Sequence, residues 1–165
     1  MIPNAGVPGT LSKSSISELS PIDDPPKPPT LALEVNLIGV YYTALLAVHY
    51  FNITRVEDDD FKPQLCFMSS LAGYGDLPFS SDYSAAKWGV RGIWRSLRGV
   101  NGVKGLGGTQ ANLIAPTYIR TAMTADFSHL LDEAGVKMGE VEDVVQAVLR
   151  VVTDDEVDGK WFLLP

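Results

Sequence analysis

The sequence predicts an α/β chain in which short buried strands alternate with longer helices around a parallel sheet. Three observations carry that prediction. Gln64-Leu-Cys-Phe-Met68 is a short apolar run bounded by Pro63 and Ser69, the pattern of a strand buried on both faces. Ala111-Asn-Leu-Ile-Ala115, stopped by Pro116, is a second run of the same kind. Val141, Val144, Val145, Val148, Leu149 and Val152 recur at i, i+3, i+4 and i+7, which is the apolar stripe of a helix.

The remaining elements fall in order around these three. Residues 8–30 are rich in Pro, Ser and Asp, and Pro21 to Pro29 holds five prolines in nine residues. Such a run enters neither a helix interior nor a central strand, so it is a loop. Thr30 is placed to cap a helix over roughly 31–53, apolar nearly all round and therefore expected to be buried. Acidic Glu57 to Asp60 reads as a solvated turn. A glycine-bearing loop from Ala72 to Asp82 leads into a helix near 83–99, with Val90, Ile93, Trp94 and Leu97 on one face and Arg91, Arg95 and Arg98 off it. Glycine-rich residues 102–108 end that helix, and Lys160-Trp-Phe-Leu-Leu164 is a closing strand.

Length and composition narrow the class. A chain of 165 residues suits one domain with a substantial core. A net charge of -7 makes a polyanion such as nucleic acid an unsuitable partner. One cysteine, Cys66, excludes an internal disulfide and fits a reducing compartment. The start of the chain has no secretion-signal pattern, and the apolar run from Leu37 to Val48 is short for a bilayer span. A cytoplasmic protein with no membrane partner is therefore expected. His49 and His129 have no Cys or carboxylate at ligand spacing, so no metal site is expected either. Cys66 reads as inert core, and Trp88 and Trp94 read as packing residues.

The chemistry centres on Tyr83 and Lys87. Their four-residue spacing at a helix start puts both side chains on one face. A phenol with a pKa of about 10 is a poor base at neutral pH, and a neighbouring ammonium would lower it. An ordinary amphipathic helix carrying a Tyr and a Lys has the same spacing. Ser69-Ser70 lies at the C-terminal end of a predicted strand, where open α/β sheets bind ligands. A hydroxyl there can polarise a carbonyl oxygen, or simply cap the following turn.

Ser69-Ser70-Leu-Ala-Gly73, Pro78 and Tyr83-Ser-Ala-Ala-Lys87 together resemble the active-site segment of the short-chain dehydrogenases/reductases, with the family's thirteen-residue interval from Ser70 to Tyr83. Four further segments match in the family's order. Asn4-Ala5-Gly6 resembles the end of the motif after the family's fourth strand, with Pro3 in place of its first Asn. Val35-Asn36-Leu-Ile-Gly39 resembles the helix that carries a fourth catalytic residue, and Asn112 to Pro116 with Thr121 resembles the loop over a nicotinamide. Asp158-Gly159 resembles the lead-in to the last strand. Pro116-Thr117-Tyr118-Ile119 in place of Pro-Gly is similar to the subgroup of 15-hydroxyprostaglandin dehydrogenase and secondary-metabolite dehydrogenases.

The resemblance implies an NAD(P)-dependent oxidoreductase of an alcohol or ketone. It implies Tyr83 as proton donor and acceptor, Lys87 at the nicotinamide ribose, Ser70 on the substrate carbonyl and Asn36 completing a proton relay. Cofactor contacts would come from Asn4, Ala5, Gly6, Tyr83, Lys87, Pro116, Ile119 and Thr121. Residues 122–131 would cover the substrate, with Met123, Phe127 and Leu130 favouring an apolar one, although a packed helix looks the same in sequence. The family's helices matching 31–53 and 83–99 build subunit contacts, which makes a homo-oligomer possible. The sequence lacks the family's glycine-rich cofactor turn, which would set pyrophosphate against a helix N-terminus. The expected fold is thus an incomplete Rossmann-like parallel sheet: its last three strands with flanking helices, in a single partial domain over 1–165, the N-terminal cofactor-binding half missing. Two consequences follow. Strand 64–68 should be an exposed apolar edge, and the chain is either such an oxidoreductase, truncated, or an inactive remnant serving as an interaction module.

Overall fold

The computed structural model describes residues 1–9, 27–54, 62–75, 77–78, 80–98 and 108–164. Most of the Pro/Ser-rich loop, the acidic turn and most of the glycine-rich stretch lie outside the described residues. Strands β1 (Gln64–Met68), β2 (Gln110–Pro116) and β3 (Trp161–Leu164) form one sheet in the order β1-β2-β3. Both pairings are parallel, with Gln64 opposite Gln110 and Leu113 opposite Trp161. Among the described residues, four helices accompany them: α1 (Leu31–Ile53), α2 (Ser81–Leu97), α3 (Ser128–Glu133) and α4 (Val141–Thr153).

Each parallel connection is a crossover, and each contains a helix: α2 between β1 and β2, and α4 between β2 and β3. Alternate side chains of β1 and β2 therefore enter two different cores. Leu65, Phe67, Ala111, Leu113 and Ala115 pack with Val40 and Ala44 of α1 and Val90 and Trp94 of α2. Cys66 and Ile114 face the other way, onto Ala147 and Val151 of α4 and onto Val157. This two-sided burial is why β1 reads as an unbroken apolar run rather than an alternating one. Burial also pushes the Cys66 thiol up to about 11, in keeping with an inert core residue.

Three expectations change in the structure. Thr30 precedes α1 but makes no side-chain cap; its hydroxyl donates to Glu34 Oε1 at 2.6 Å instead. The α1 helix is not buried all round. Ala32, Asn36, Val40, Ala44, Ala47 and Val48 face the protein, while Tyr41, Tyr42, Leu45, Leu46, Tyr50 and Ile53 are exposed. A helix with apolar residues on every side has no intrinsic inward face, so packing alone selects one. At 23 residues it is also long and apolar enough to cross a membrane, a length that the shorter apolar run within it did not suggest. Finally, β1 is the edge strand of the sheet among the described residues, but its apolar side chains are covered: Leu65, Cys66 and Phe67 are at most 1% exposed. The chain's first residues lie along it, with the Met1 ammonium donating to Gln64 O at 2.7 Å and Cys66 N–H donating to Met1 O at 3.1 Å.

Within α1, residues Glu34–Gly39 form a π-helical turn between the α-helical parts Leu31–Leu33 and Val40–Ile53. Such bulges widen the helix locally and re-aim the side chains they carry. Asn36 sits in this turn and is fully buried.

Candidate active site

The site forms at the C-terminal end of β1, where the chain leaves the sheet. Ser69 N–H donates to Ile114 O at 2.8 Å, which extends the ladder with β2 by one residue. The Ser69 hydroxyl then donates to Lys87 O at 3.1 Å, joining the strand end to the middle of α2. Gly73 completes the junction: a Cβ there would lie 2.7 Å from Ser69 Oγ and 2.8 Å from Lys87 O. Only glycine allows the short turn Leu71–Gly73 to come this close to the helix backbone. Ser69 and Gly73 stand in the motif that carries the family resemblance, but the sequence assigns them no role; the structure makes them the joint between β1 and α2.

Ser70 caps the turn that follows it. Its Oγ accepts from Ala72 N–H at 3.3 Å, capping the turn, and donates to Pro116 O at 3.3 Å at the end of β2. The Tyr83 phenol lies close enough to this hydroxyl to feel its dipole. Tyr83 lies in the first turn of α2, and Lys87 one turn later, with Nζ 5.4 Å from the centre of the Tyr83 ring. The thirteen-residue interval and the four-residue spacing thus bring Ser70, Tyr83 and Lys87 together.

The electrostatics differ from the expectation that Lys87 depresses the Tyr83 pKa. Burial raises the Tyr83 phenol above its ordinary value, and the Ser70 hydroxyl pulls it only part of the way back. Lys87 is buried too, at 6% exposure, and desolvation lowers its ammonium to about 8. Its Nζ donates to Met68 O at 3.1 Å. The cation is aimed at the carbonyl at the end of β1 rather than at the phenol oxygen, and in a desolvated site burial outweighs the attraction that spacing alone suggested.

Asn36 approaches from α1. Its Nδ2 donates to Val7 O at 2.9 Å and its Oδ1 accepts from Val7 N–H at 2.8 Å. Asn4, Ala5 and Gly6, just before Val7, are exposed, and a Cβ on Gly6 would come 3.5 Å from Asn36 Oδ1. Pro116 ends β2, and Ile119 and Thr121 follow it, with Thr121 exposed. Thr124 ties this loop down, its hydroxyl donating to Ile119 O at 2.6 Å and accepting from Thr121 N–H at 3.1 Å. Arg120 bonds Asp132 through both terminal guanidinium nitrogens, at 2.7 and 3.3 Å, and so ties α3 to the same loop. Met123 and Leu130 are exposed, and Phe127 meets the Tyr118 ring edge-on. Of the residues outside the site, Trp94 is buried with Nε1 donating to Ala111 O at 2.9 Å, whereas Trp88, expected to pack, is half exposed. His49 and His129 are exposed.

The short chain dehydrogenase family model matches residues 1–131. The chain belongs to the short-chain dehydrogenase/reductase family. Its similarity to NADP-dependent dehydrogenase clz5 of Cochliobolus lunatus is 41% identity over 145 residues, 82% of this chain and 50% of that protein. The 5'-hydroxyaverantin dehydrogenase of Dothistroma septosporum is 35% identical over 144 residues, covering 82% of this chain and 45% of that protein. The chain thus spans about half the length of these family members. Among solved structures, a 4-hydroxyisoleucine dehydrogenase complexed with NADH and succinate superimposes with a TM-score of 0.71 at 19% identity, covering 99% of this chain and 64% of that one. A gluconate 5-dehydrogenase from Burkholderia cenocepacia in complex with NADP and tartrate gives a TM-score of 0.69 at 20% identity, covering 98% and 61%. These likenesses establish the fold: three parallel strands and their helices match part of the family's Rossmann-like sheet.

Proposed function

We propose that the chain carries the proton-transfer half of an NAD(P)-dependent oxidoreductase acting on the alcohol or ketone of a small apolar molecule, in the manner of secondary-metabolite dehydrogenases. The observation that carries this reading is the cluster of Ser70, Tyr83 and Lys87 at the end of β1, assembled from two elements and desolvated. In this reading Tyr83 exchanges the proton with the substrate oxygen, and Ser70 holds that oxygen by a hydrogen bond. Lys87, cationic at pH 7 with its pKa near 8, orients the cofactor ribose. Asn36 anchors the loop of Asn4, Ala5 and Gly6 beside it and completes the relay.

The bound nicotinamide would supply or accept the hydride. The nicotinamide end would be held by Lys87, which is buried, and Tyr83, which is half-buried, with Pro116 joined to them through Ser70 and with Ile119 and Thr121 on the loop that follows. The pyrophosphate end has no counterpart, since the sequence has no glycine-rich strand-to-helix turn. We therefore read the sheet as the C-terminal part of a larger one whose cofactor-binding half is absent from this sequence. Oligomer formation fits the exposed face of α1, where Tyr42, Leu46 and Ile53 stand more than half exposed. That face also supports the second reading, an inactive remnant that serves as an oligomerisation module. The working compartment in both readings is the cytoplasm.

The test is titration of the 165-residue chain with NADH and NADPH by fluorescence. Saturable binding with slow dehydrogenase turnover, abolished in Tyr83→Phe without loss of fold, is the expected result. Absence of binding at millimolar cofactor, together with a stable dimer or tetramer, selects the remnant. Turnover retained by Tyr83→Phe refutes the role given to that phenol.

A further inference from the structure

The segment from Val7 to Gly9 joins two parts of the site that are distant in sequence. At one end, Asn36 holds both the N–H and the C=O of Val7, at 2.8 and 2.9 Å, from a fully buried position in the π-turn of α1. At the other, Gly9 lies against the first turn of α2. A Cβ built on Gly9 would fall 2.2 Å from Ser80 Oγ, 2.7 Å from Tyr83 Cβ and 2.9 Å from Asp82 Oδ1. All three distances are shorter than carbon tolerates. The positive-φ glycines among the described residues are Gly108, Gly135 and Gly159, so it is space, not backbone dihedral, that demands glycine at position 9.

These neighbours have little freedom to retreat. Tyr83 Cβ is part of the helix framework. Ser80 is 5% exposed, and its carbonyl accepts Ser84 N–H at 2.9 Å as the first bond of α2. Asp82 Oδ1 accepts Tyr83 N–H at 2.8 Å. A side chain at position 9 must therefore displace either the Val7–Gly9 segment, which Asn36 clamps, or the turn that carries Tyr83.

We infer that Gly9 is a positioning residue for Tyr83, the Val7–Gly9 segment acting as a strut between Asn36 and the first turn of α2. The inference rests on the reading of Tyr83 as the proton donor, but the strut itself is testable without turnover. Ring-labelled tyrosine is introduced into the full chain, and the Tyr83 resonance is assigned by its absence in Tyr83→Phe. In Gly9→Ala the Tyr83 resonance moves while those of Tyr41, Tyr42 and Tyr50 on α1 stay in place. Adding Ser80→Ala removes the shortest clash and returns part of the displacement.

If Gly9→Ala alone does not fold, folding of the double variant is the supporting result. A Gly9→Ala protein with the Tyr83 resonance unmoved overturns the inference. So does a double variant indistinguishable from the single one, folded or unfolded. Where turnover is measurable, Gly9→Ala lowers kcat by about 100-fold, the order expected for a displacement of roughly 1 Å at a reacting group. A chain without turnover would count against the proposed activity while leaving the resonance experiment able to decide the strut.

Discussion

Replacing Lys87 by methionine should stabilise the folded chain at neutral pH and reverse that effect in alkali. Methionine keeps an unbranched, flexible apolar side chain, one atom shorter, and removes the charge. Desolvation lowers the Lys87 pKa from 10.5 to about 8. Above pH 10.5 the amine is neutral in the folded and unfolded chain, and its burial carries no charge penalty. Between 10.5 and 8 the unfolded chain binds the proton and the folded one does not, so stability falls as pH falls. Below about 8 both states are protonated and the loss is complete, at about 3 kcal/mol from 1.36 kcal/mol per pH unit. Methionine escapes that loss but gives up the bond from Nζ to Met68 O, which contributes about 1 kcal/mol. The variant should therefore be about 2 kcal/mol more stable than the parent at pH 7 and about 1 kcal/mol less stable above pH 10.5. Urea unfolding followed by tryptophan fluorescence measures both, and with a slope of about 2 kcal/mol/M the midpoint at pH 7 should rise by about 1 M. A midpoint difference that is the same at pH 7 and pH 10.5, or a variant less stable at pH 7, would refute the reasoning. The same variant should lose any cofactor-dependent activity, since a site that must hold a cation in a dry place trades stability for function.

Two other substitutions probe the supports of the site. Asn36→Asp keeps the shape but offers a carboxylate to Val7 O, which only a protonated acid can satisfy; burial and this contact raise its folded pKa above the unfolded value of about 3.9. The variant should match the parent below about pH 4 and lose roughly 2 kcal/mol as pH rises through the folded pKa, and a stability difference independent of pH would contradict this. Asn112→Leu removes the bonds from Nδ2 to Val157 O at 2.7 Å and from Lys160 N–H to Oδ1 at 3.0 Å, in a position with no exposure. It should cost about 2–4 kcal/mol and speed hydrogen exchange in β3 more than in β1; equal rates in both strands would show that Asn112 does not pin the last strand.

By itself the sequence determined the order of elements and the family. The runs Gln64 to Met68 and Ala111 to Ala115 are apolar throughout because both faces of a parallel strand are covered, and proline or serine marks their ends. Tyr83 and Lys87 were legible as neighbours because four-residue spacing puts them on one helix face, whereas Ser70 joined them only through the resemblance to the family's active-site segment. Local spacing cannot report the dielectric around a charge, so the aim of Lys87 at Met68 O and the raised phenol of Tyr83 emerged only from the packed site. Nor can periodicity choose a face when every side is apolar, which left the outward face of α1 to be decided by what it packs against. The pairing of Met1 with β1, the clamp of Asn36 on Val7 and the approach of Gly9 to Tyr83 join residues 29 to 74 positions apart. Contacts of that range leave no local pattern, because chain segments that distant meet only when the tertiary fold brings them to the same place.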